Sequence, residues 1–297
     1  MKRCPITYQK LDSTKYSAKG LRSFSNKISD LEKINIDFSN GSSYSLNPHS
    51  RENFGKLQVK NKCFVKGDKN DRYVFVQDND PESQYIFNRD LTLKLATLSG
   101  IKTVTHGLAY LQSGNLVFWY KRPQFFGRSI QYQIDTFDEL IPEDEANVFR
   151  HLIEILNSTC TFPALEKLNL LRLILFSFLT GHDSIATSSL SLIHNKERVE
   201  LTPQCCLVNN HIYQSKKKAE SISFLGEEVL LGNTDKALCF ANEVLGVNPK
   251  AFSQVMQELN VVYLKWLKTI EVSFIKNPIK KEYLELLRNR RRLFFKY

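Results

Sequence analysis

Apolar and polar positions follow two different rhythms along this chain. In roughly the first 120 residues the apolar ones fall in short runs rich in Val, Phe and other strand formers. "KLQVK" (56–60), "CFVKG" (63–67) and "RYVFVQD" (72–78) are such runs, with turn residues at Gly67-Asp68 and around Asn79-Pro81, and they predict strands. "YIFNRDLTLKLATLSGI" (85–101) breaks the series. Its apolar residues recur at helical spacing, and Gly100 is suited to cap the helix C-terminus. "THGLAYLQSGNLVFWYKRP" (105–123) then predicts a hairpin turning at Ser113-Gly114-Asn115. A short strand-like segment, "YSAKGLRSF" and a polar stretch ending "SNGSSYSLNPHS" open the chain; the Ser, Asn and Gly density of the last predicts loop.

After Pro123 the pattern turns helical. "PEDEANVFRHLIEILNSTC" (142–160) has an acidic first turn and an apolar stripe, with Pro142 suited to its start. "ALEKLNLLRLILFSFLTG" (164–181) is apolar on most faces, which predicts a helix at the centre of its lobe. "SLSLIHN" and "ERVELTPQ" predict a short hairpin, and further helices fill the remainder. The order is a five-strand segment with one helix, a linker, then a helical segment. It predicts an α+β, two-lobed, protein-kinase-like architecture, with a β-rich N-lobe over 1–120 and a helical C-lobe over 121–297.

Composition bounds this picture without changing it. The 297 residues suffice for two lobes with their own cores, and 42% hydrophobic with 24% charged content is ordinary for a globular protein. The six cysteines have no metal-ligand spacing and the start "MKRCPITYQK" has no apolar leader, so they read as reduced thiols in a cytoplasmic setting. Leu168 to Leu179 is broken by Arg172 and is about half the length of a membrane span, so a core helix is expected and no membrane.

The net charge of +10 includes a cluster at Arg288, Arg290, Arg291 and Arg292. It reads either as a surface for nucleic acid or an acidic partner, or as the solvated face of a last amphipathic helix. With no nucleic-acid motif in the chain, the solvated face is the expectation and nucleic acid is not expected as a partner.

Several segments together resemble one family. "CPITY", "YSAKGL", "THGLAY", "FWYKR", "CTFP" and "LLRLILFSFLTG" occur in the order and spacing of the HipA/HipT bacterial toxin-antitoxin serine/threonine kinases, most closely the short HipT form. The resemblance runs the length of the chain and implies the HipA-like kinase fold. The family's catalytic loop reads Gly-Asn-x-Asp-x-His-x-(Lys/Arg)-Asn. Laid on "GHDSIATSSLSLI" (181–193), Gly181 matches, but Ser184 falls on the catalytic Asp, Ala186 on the His and Ser189 on the metal-binding Asn. A one-residue slip puts Asp183 on the base and Ser188 on the metal position, so Asp183 stays a candidate base. Cys206 of "LTPQCCLVNN" falls on the second metal-binding Asp, and Val76 on the lysine that holds ATP phosphates. Arg89 falls on the helix glutamate that pairs with that lysine, and Pro48 on a glycine of the phosphate loop.

Phosphoryl transfer is positioning plus charge stabilisation, so each departure removes a defined task. Ser184 cannot take a proton at neutral pH; losing a general base typically costs about two to four orders of magnitude in rate. Magnesium prefers hard oxygen ligands, whereas Cys206 is soft and Ser189 a weak neutral donor. Val76 removes the phosphate cation; Arg89 could replace it in part, since arginine binds phosphate bidentately, although a solvated helix arginine is the plainer reading. ATP and magnesium are therefore expected to bind weakly or not at all.

The other chemistry-bearing groups read more plainly. His182-Asp183 reads as loop surface, since adjacent loop residues rarely converge on one site. Cys205-Cys206 reads as a structural pair whose side chains point to opposite faces of a strand. His106 is expected to pack at a turn, and Thr187, Ser188 and Ser189 are ordinary loop hydroxyls. The expected function is that of a pseudokinase acting by protein interaction. It would be a regulator, decoy or antagonist of a HipT-like kinase, its antitoxin, or its substrate, which for active relatives the resemblance implies to be an aminoacyl-tRNA synthetase. The alternative is an enzyme using the same cleft for residual serine/threonine kinase activity or another nucleotide-dependent transfer.

Overall fold

One large core joins the strands of the first 120 residues to the helices that follow them. A computed structural model of the chain describes residues 2–25, 33–37, 53–54, 56–58, 73–78, 80, 82–123, 125–126, 130–142, 147–214 and 221–295. Pro48, "CFVKG" and the Gly67-Asp68 turn lie outside the described residues.

The chain begins with a helix that the sequence pattern did not announce, α1 (Ala18–Phe24), whose first turn is capped by Ser17 accepting from Gly20 N at 3.1 Å. β1 (Asn35–Asp37) pairs antiparallel with β3 (Lys56–Gln58). β2 (Asn53–Phe54) joins β4 (Tyr73–Gln77), β5 (His106–Tyr110) and β6 (Leu116–Lys121) in an antiparallel sheet of order β2-β4-β6-β5. The expected hairpin is β5–β6, with Gly114 at φ 92° in its turn.

Successive residues of a strand point to opposite faces, and this sheet is apolar on both. Val74, Val76, Phe118 and Leu108 join the main core. Phe75, Trp119, Val117 and Ala109 form a second core with Cys4, Tyr16, Leu21 and Phe24, so α1 covers the outer face.

Helix α2 (Tyr85–Leu98) matches the expected span and Gly100 follows it at φ 77°. Ile86 N donates to Asp78 Oδ1 at 3.0 Å, so Asp78 caps the first turn from eight residues upstream. Asp78 Oδ2 is buried and has no hydrogen bond among the described residues. Burial pushes this carboxyl up to about 6, against the Ile86 bond and with help from Asp80. Ionising it costs more in the fold than in the unfolded chain. Its contribution is therefore best below about pH 4, the unfolded value, and is lost as pH rises through about 6. Asp78→Asn keeps the accepting oxygen and should raise Tm at pH 8 but not at pH 4; an equal change at both would show that ionisation is not the cause.

The rest of the chain is more β-rich than expected. β7 (Phe125–Phe126) pairs with β8 (Ile130–Gln131), and β9 (Gln133–Thr136) runs into the short helix α3 (Phe137–Leu140) through a Thr136–Glu139 capping box. Pro142 does not begin the next helix. α4 (Val148–Thr159) starts after Asn147, whose side chain accepts from Arg150 N at 3.0 Å. α5 (Pro163–Thr180) is the expected central helix, with Leu170, Leu171 and every residue from Leu173 to Thr180 buried. It packs against α2, α4 and two later helices, α7 (Pro249–Glu271) and α8 (Asn277–Phe294).

β10 (Ser184–Ile185) follows α5, and β11 (Ser191–His194) and β12 (Val199–Leu201) form the expected hairpin, extended by β9 on the far side of β11. A further hairpin, β13 (Ser221–Phe224) with β14 (Glu227–Leu230), was not expected; it turns at Leu225 and Gly226, both with positive φ. α6 (Thr234–Cys239) then leads toward α7. Among the described residues no helix is long and apolar enough to cross a membrane.

Candidate functional site

The loop after α5 turns inward. Gly181 sits at φ 80°, and a Cβ there would stand 2.3 Å from Asn209 Oδ1 and 2.5 Å from Leu286 Cδ2, so only glycine fits this exit. His182 is buried, its Nδ1 donating to Val208 O at 3.0 Å; burial lowers its pKa despite that bond and the neighbouring Asp183. Asp183 is only 7% exposed. His211 Nδ1 lies 2.5 Å from its Oδ2 and Arg290 Nη1 2.6 Å from its Oδ1, and its own N–H donates to Asn210 Oδ1. Burial pushes the Asp183 carboxyl up, but the His211 and Arg290 hydrogen bonds outweigh it and hold the group below the usual carboxylate range.

These contacts overturn two expectations. His182-Asp183 is interior, not loop surface: the two side chains go to different partners, both inside the fold. Arg290 is not solvated either. It is 2% exposed, donates to Phe178 O at 2.5 Å as well as to Asp183, and lies over the Phe178 ring. A signal was available in the sequence. Arg290 is seven residues after Tyr283, three after Leu287 and four before Phe294, all on the buried stripe of α8. Arg291 is engaged with Asn260 and the Tyr263 ring, so Arg288 and Arg292 are the exposed members of the basic cluster.

Ser184, aligned above with the family's catalytic aspartate, is exposed on β10, paired in parallel with Ser223. Ser189 is half-buried in a one-turn 3₁₀ segment, and its hydroxyl donates to Ala186 O at 2.7 Å. Val76 is buried in β4 opposite Phe118.

Arg89 is fully buried, which corrects the solvated reading. Its guanidinium lies 4.8 Å from the Phe118 ring centroid and 5.3 Å from that of Tyr120. Nε donates to Cys205 O at 3.0 Å and Nη2 to Cys206 Sγ at 3.3 Å. Cys205 and Cys206 are not in a strand, and their sulfurs are 3.1 Å apart rather than on opposite faces. Val76, Phe118, Arg89 and Cys206 thus form one continuous set linking the sheet, α2 and the segment after β12.

A second polar centre was missed in the sequence. Asp90, fully buried, accepts from Tyr8 Oη at 2.6 Å and Lys94 Nζ at 2.7 Å, and His106 Nδ1 lies 3.0 Å away. Burial pushes Asp90 up, but Lys94 and His106 more than offset it, so its carboxyl is held below the ordinary value. His106 is the first residue of β5 rather than part of a turn; burial and then Lys94 lower its pKa, so it is neutral at pH 7. Among the described residues no group of three or more His, Cys, Asp or Glu is placed to hold a metal ion.

No protein-family model matches the chain, and no curated protein sequence matches it. Solved structures do. HipA of Shewanella oneidensis MR-1, determined with HipB and its operator DNA, superposes with a TM-score of 0.56 at 14% identity over 74% of this chain. This chain spans 58% of the length of that HipA. The Helicobacter pylori proinflammatory kinase CtkA superposes with a TM-score of 0.56 at 13% identity, over 86% of this chain and 92% of CtkA. The chain has the HipA-like, two-lobed kinase fold, small sheets beside a helical part.

Proposed function

We propose that this chain is a kinase-fold protein without phosphoryl-transfer activity. It acts by binding proteins, as regulator, decoy or antagonist of a HipT-like kinase, its antitoxin or its substrate. One observation carries the reading. The only carboxylate in the loop 181–193 is Asp183, and it faces Arg290 and His211 inside the fold rather than an acceptor hydroxyl. A base so held, neutralised and with a depressed pKa, has neither the position nor the basicity to take a proton.

The metal side agrees. At the position aligned with a metal-binding aspartate, Cys206 offers sulfur with a guanidinium 3.3 Å away, and like charge there disfavours Mg²⁺. Ser189 offers only a neutral hydroxyl oxygen, a weak ligand where the aligned family residue gives an amide carbonyl. These residues do not fit a magnesium–nucleotide complex. Arg89, braced by Cys205 O, Cys206 and two aromatic rings, works as an interior strut in this reading rather than as a phosphate ligand. An antitoxin is the first partner to test because the HipA neighbour was determined with HipB.

Two outcomes are expected of the purified chain. Incubated with labelled ATP and magnesium, it should neither label itself nor label a generic protein acceptor. Label that disappears in a Ser184→Ala or Cys206→Ala variant would move the reading to the alternative of an enzyme using this cleft. In calorimetry, magnesium should not strengthen ATP binding, which should be equally weak or undetectable with and without the ion. Micromolar affinity that requires magnesium would show that the metal ligands lie elsewhere. Affinity capture from the native cell tests the interaction half: failure to recover a kinase of this fold, an antitoxin or a synthetase counts against it.

A further inference from the structure

Helix α2 turns a different face to a cavity of about 710 Å³. At about 100° per residue, Lys94 and Leu98 are rotated roughly 140° and 180° from Arg89, so this cavity opens behind the set that Arg89 joins. It is bounded by the segment Ile6–Gln9, by Lys19 of α1, by the approach to β5 at Thr103–His106 and by the end of α7 at Lys268 and Val272. None of Val76, Arg89, Ser184, Ser189 or Cys206 lines it.

Its chemistry is one-sided. Among the described residues three lysines line it, and no aspartate or glutamate does. Lys94 is on the inner wall, fixed by Asp90 at 2.7 Å and by the Tyr8 ring, whose centroid is 4.6 Å from Nζ. Asp90 also orders Tyr8 and His106, so one buried carboxylate sets three groups of the wall before any ligand arrives. That carboxylate balances Lys94. Lys19 and Lys268 stand exposed at the rim with no ion-pair partner among the described residues, which leaves two positive charges uncompensated. The hydroxyls of Thr97 and Thr103 are already engaged, Thr97 donating to Leu93 O at 2.9 Å and Thr103 bonded to Thr97 at 2.7 Å, so the lysines carry the charge of the site. Leu98, Val104 and Val272 supply an apolar side. The volume is in the range of small-molecule sites, about 300–1,000 Å³.

We infer that this cavity binds a small organic phosphate, its dianionic group between Lys19, Lys268 and Lys94 and its apolar body against Leu98 and Val272. Two uncompensated lysines match a phosphate monoester, which carries about −1.5 to −2 at pH 7, better than a carboxylate of charge −1. The apolar wall calls for more than inorganic phosphate. The site is separate from the cleft, so its success or failure leaves the reading of the cleft untouched.

Phenyl phosphate is the probe, titrated calorimetrically into the full chain at pH 7.5 and fixed low salt. Saturable binding is expected, tighter than for inorganic phosphate. Lys19→Ala with Lys268→Ala should weaken it by at least about tenfold, the loss of two charge-assisted contacts. Lys265→Ala, on the same helix but outside the cavity, should change it less than about twofold, since an exposed charge in solvent is screened. Both sets of substitutions are at exposed positions and leave the core intact. The inference is overturned by absence of saturable binding, by equal affinity for inorganic phosphate, by an unaffected double variant, or by an equal loss in Lys265→Ala. Binding to phosphatidic acid vesicles without binding of phenyl phosphate would equally overturn the small-molecule assignment.

Discussion

Asp183→Ala should destabilise the fold by about 3–5 kcal/mol, the cost of leaving a buried charge without its partner. The residue left behind is Arg290, whose guanidinium is shut inside the protein beside Phe178 and His211. It would keep the Phe178 carbonyl but lose its counter-charge. Arg290→Met in the same chain should recover much of the loss, because removing both charges restores a neutral interior. Urea unfolding of the single and double variants measures this cycle. A single-variant cost below about 1 kcal/mol, in the range of an exposed pair, would mean that solvent reaches the pair after all. The dependence on pH has a definite sign. The folded carboxyl is held below its unfolded value, so the pair's contribution is complete above about pH 4 and fades as pH falls through the folded value. The Asp183→Ala penalty should therefore be largest at neutral pH and shrink in acid.

Leu175→Ala should cost a comparable amount, about 2–5 kcal/mol, for a different reason. Leu175 is fully buried in the C-terminal half of α5, the helix on which α2, α4, α7 and α8 converge, and its neighbour Phe176 packs edge-on to Trp266 of α7. Removing three carbons there opens a hole in a close-packed interior that can relax only in part. Leu165→Ala, in the exposed first turn of the same helix, should cost well under about 1 kcal/mol. Chemical denaturation of the two variants gives the comparison. Equal costs would mean that α5 is not the centre of its core. As loop surface Asp183 would matter far less than Leu175; buried beside Arg290, it should matter about as much.

What was legible in the sequence follows the range of the interaction that fixes each element. The β5–β6 hairpin, α2, α5 and the β11–β12 hairpin are set by local spacing and turn residues, and their positions could be read directly. α1 was missed because seven residues give less than two turns of periodicity, and Ser17, its cap, looks like any loop serine. The β13–β14 hairpin was missed because β14 is largely exposed and turns through Leu225-Gly226, which is not a usual hairpin pair.

Side-chain placement at the site was least legible. Arg89 meets Cys205 and Cys206 across 116 and 117 residues, and Asp183 meets His211 across 28. No window of local pattern spans such distances. The loop's departures from the family pattern could be read residue by residue. Where its remaining carboxylate points could not, because the answer lies in α8.

That last contact sets a clock on the making of the protein. Arg290 follows Asp183 by 107 residues, and chains grow at about 5–20 residues per second. For roughly 5–20 seconds after Asp183 is added, its arginine partner does not yet exist. His211 arrives much sooner and can hold the carboxylate in the interval. The closed loop is thus a late product of synthesis, fastened only once α8 has been made.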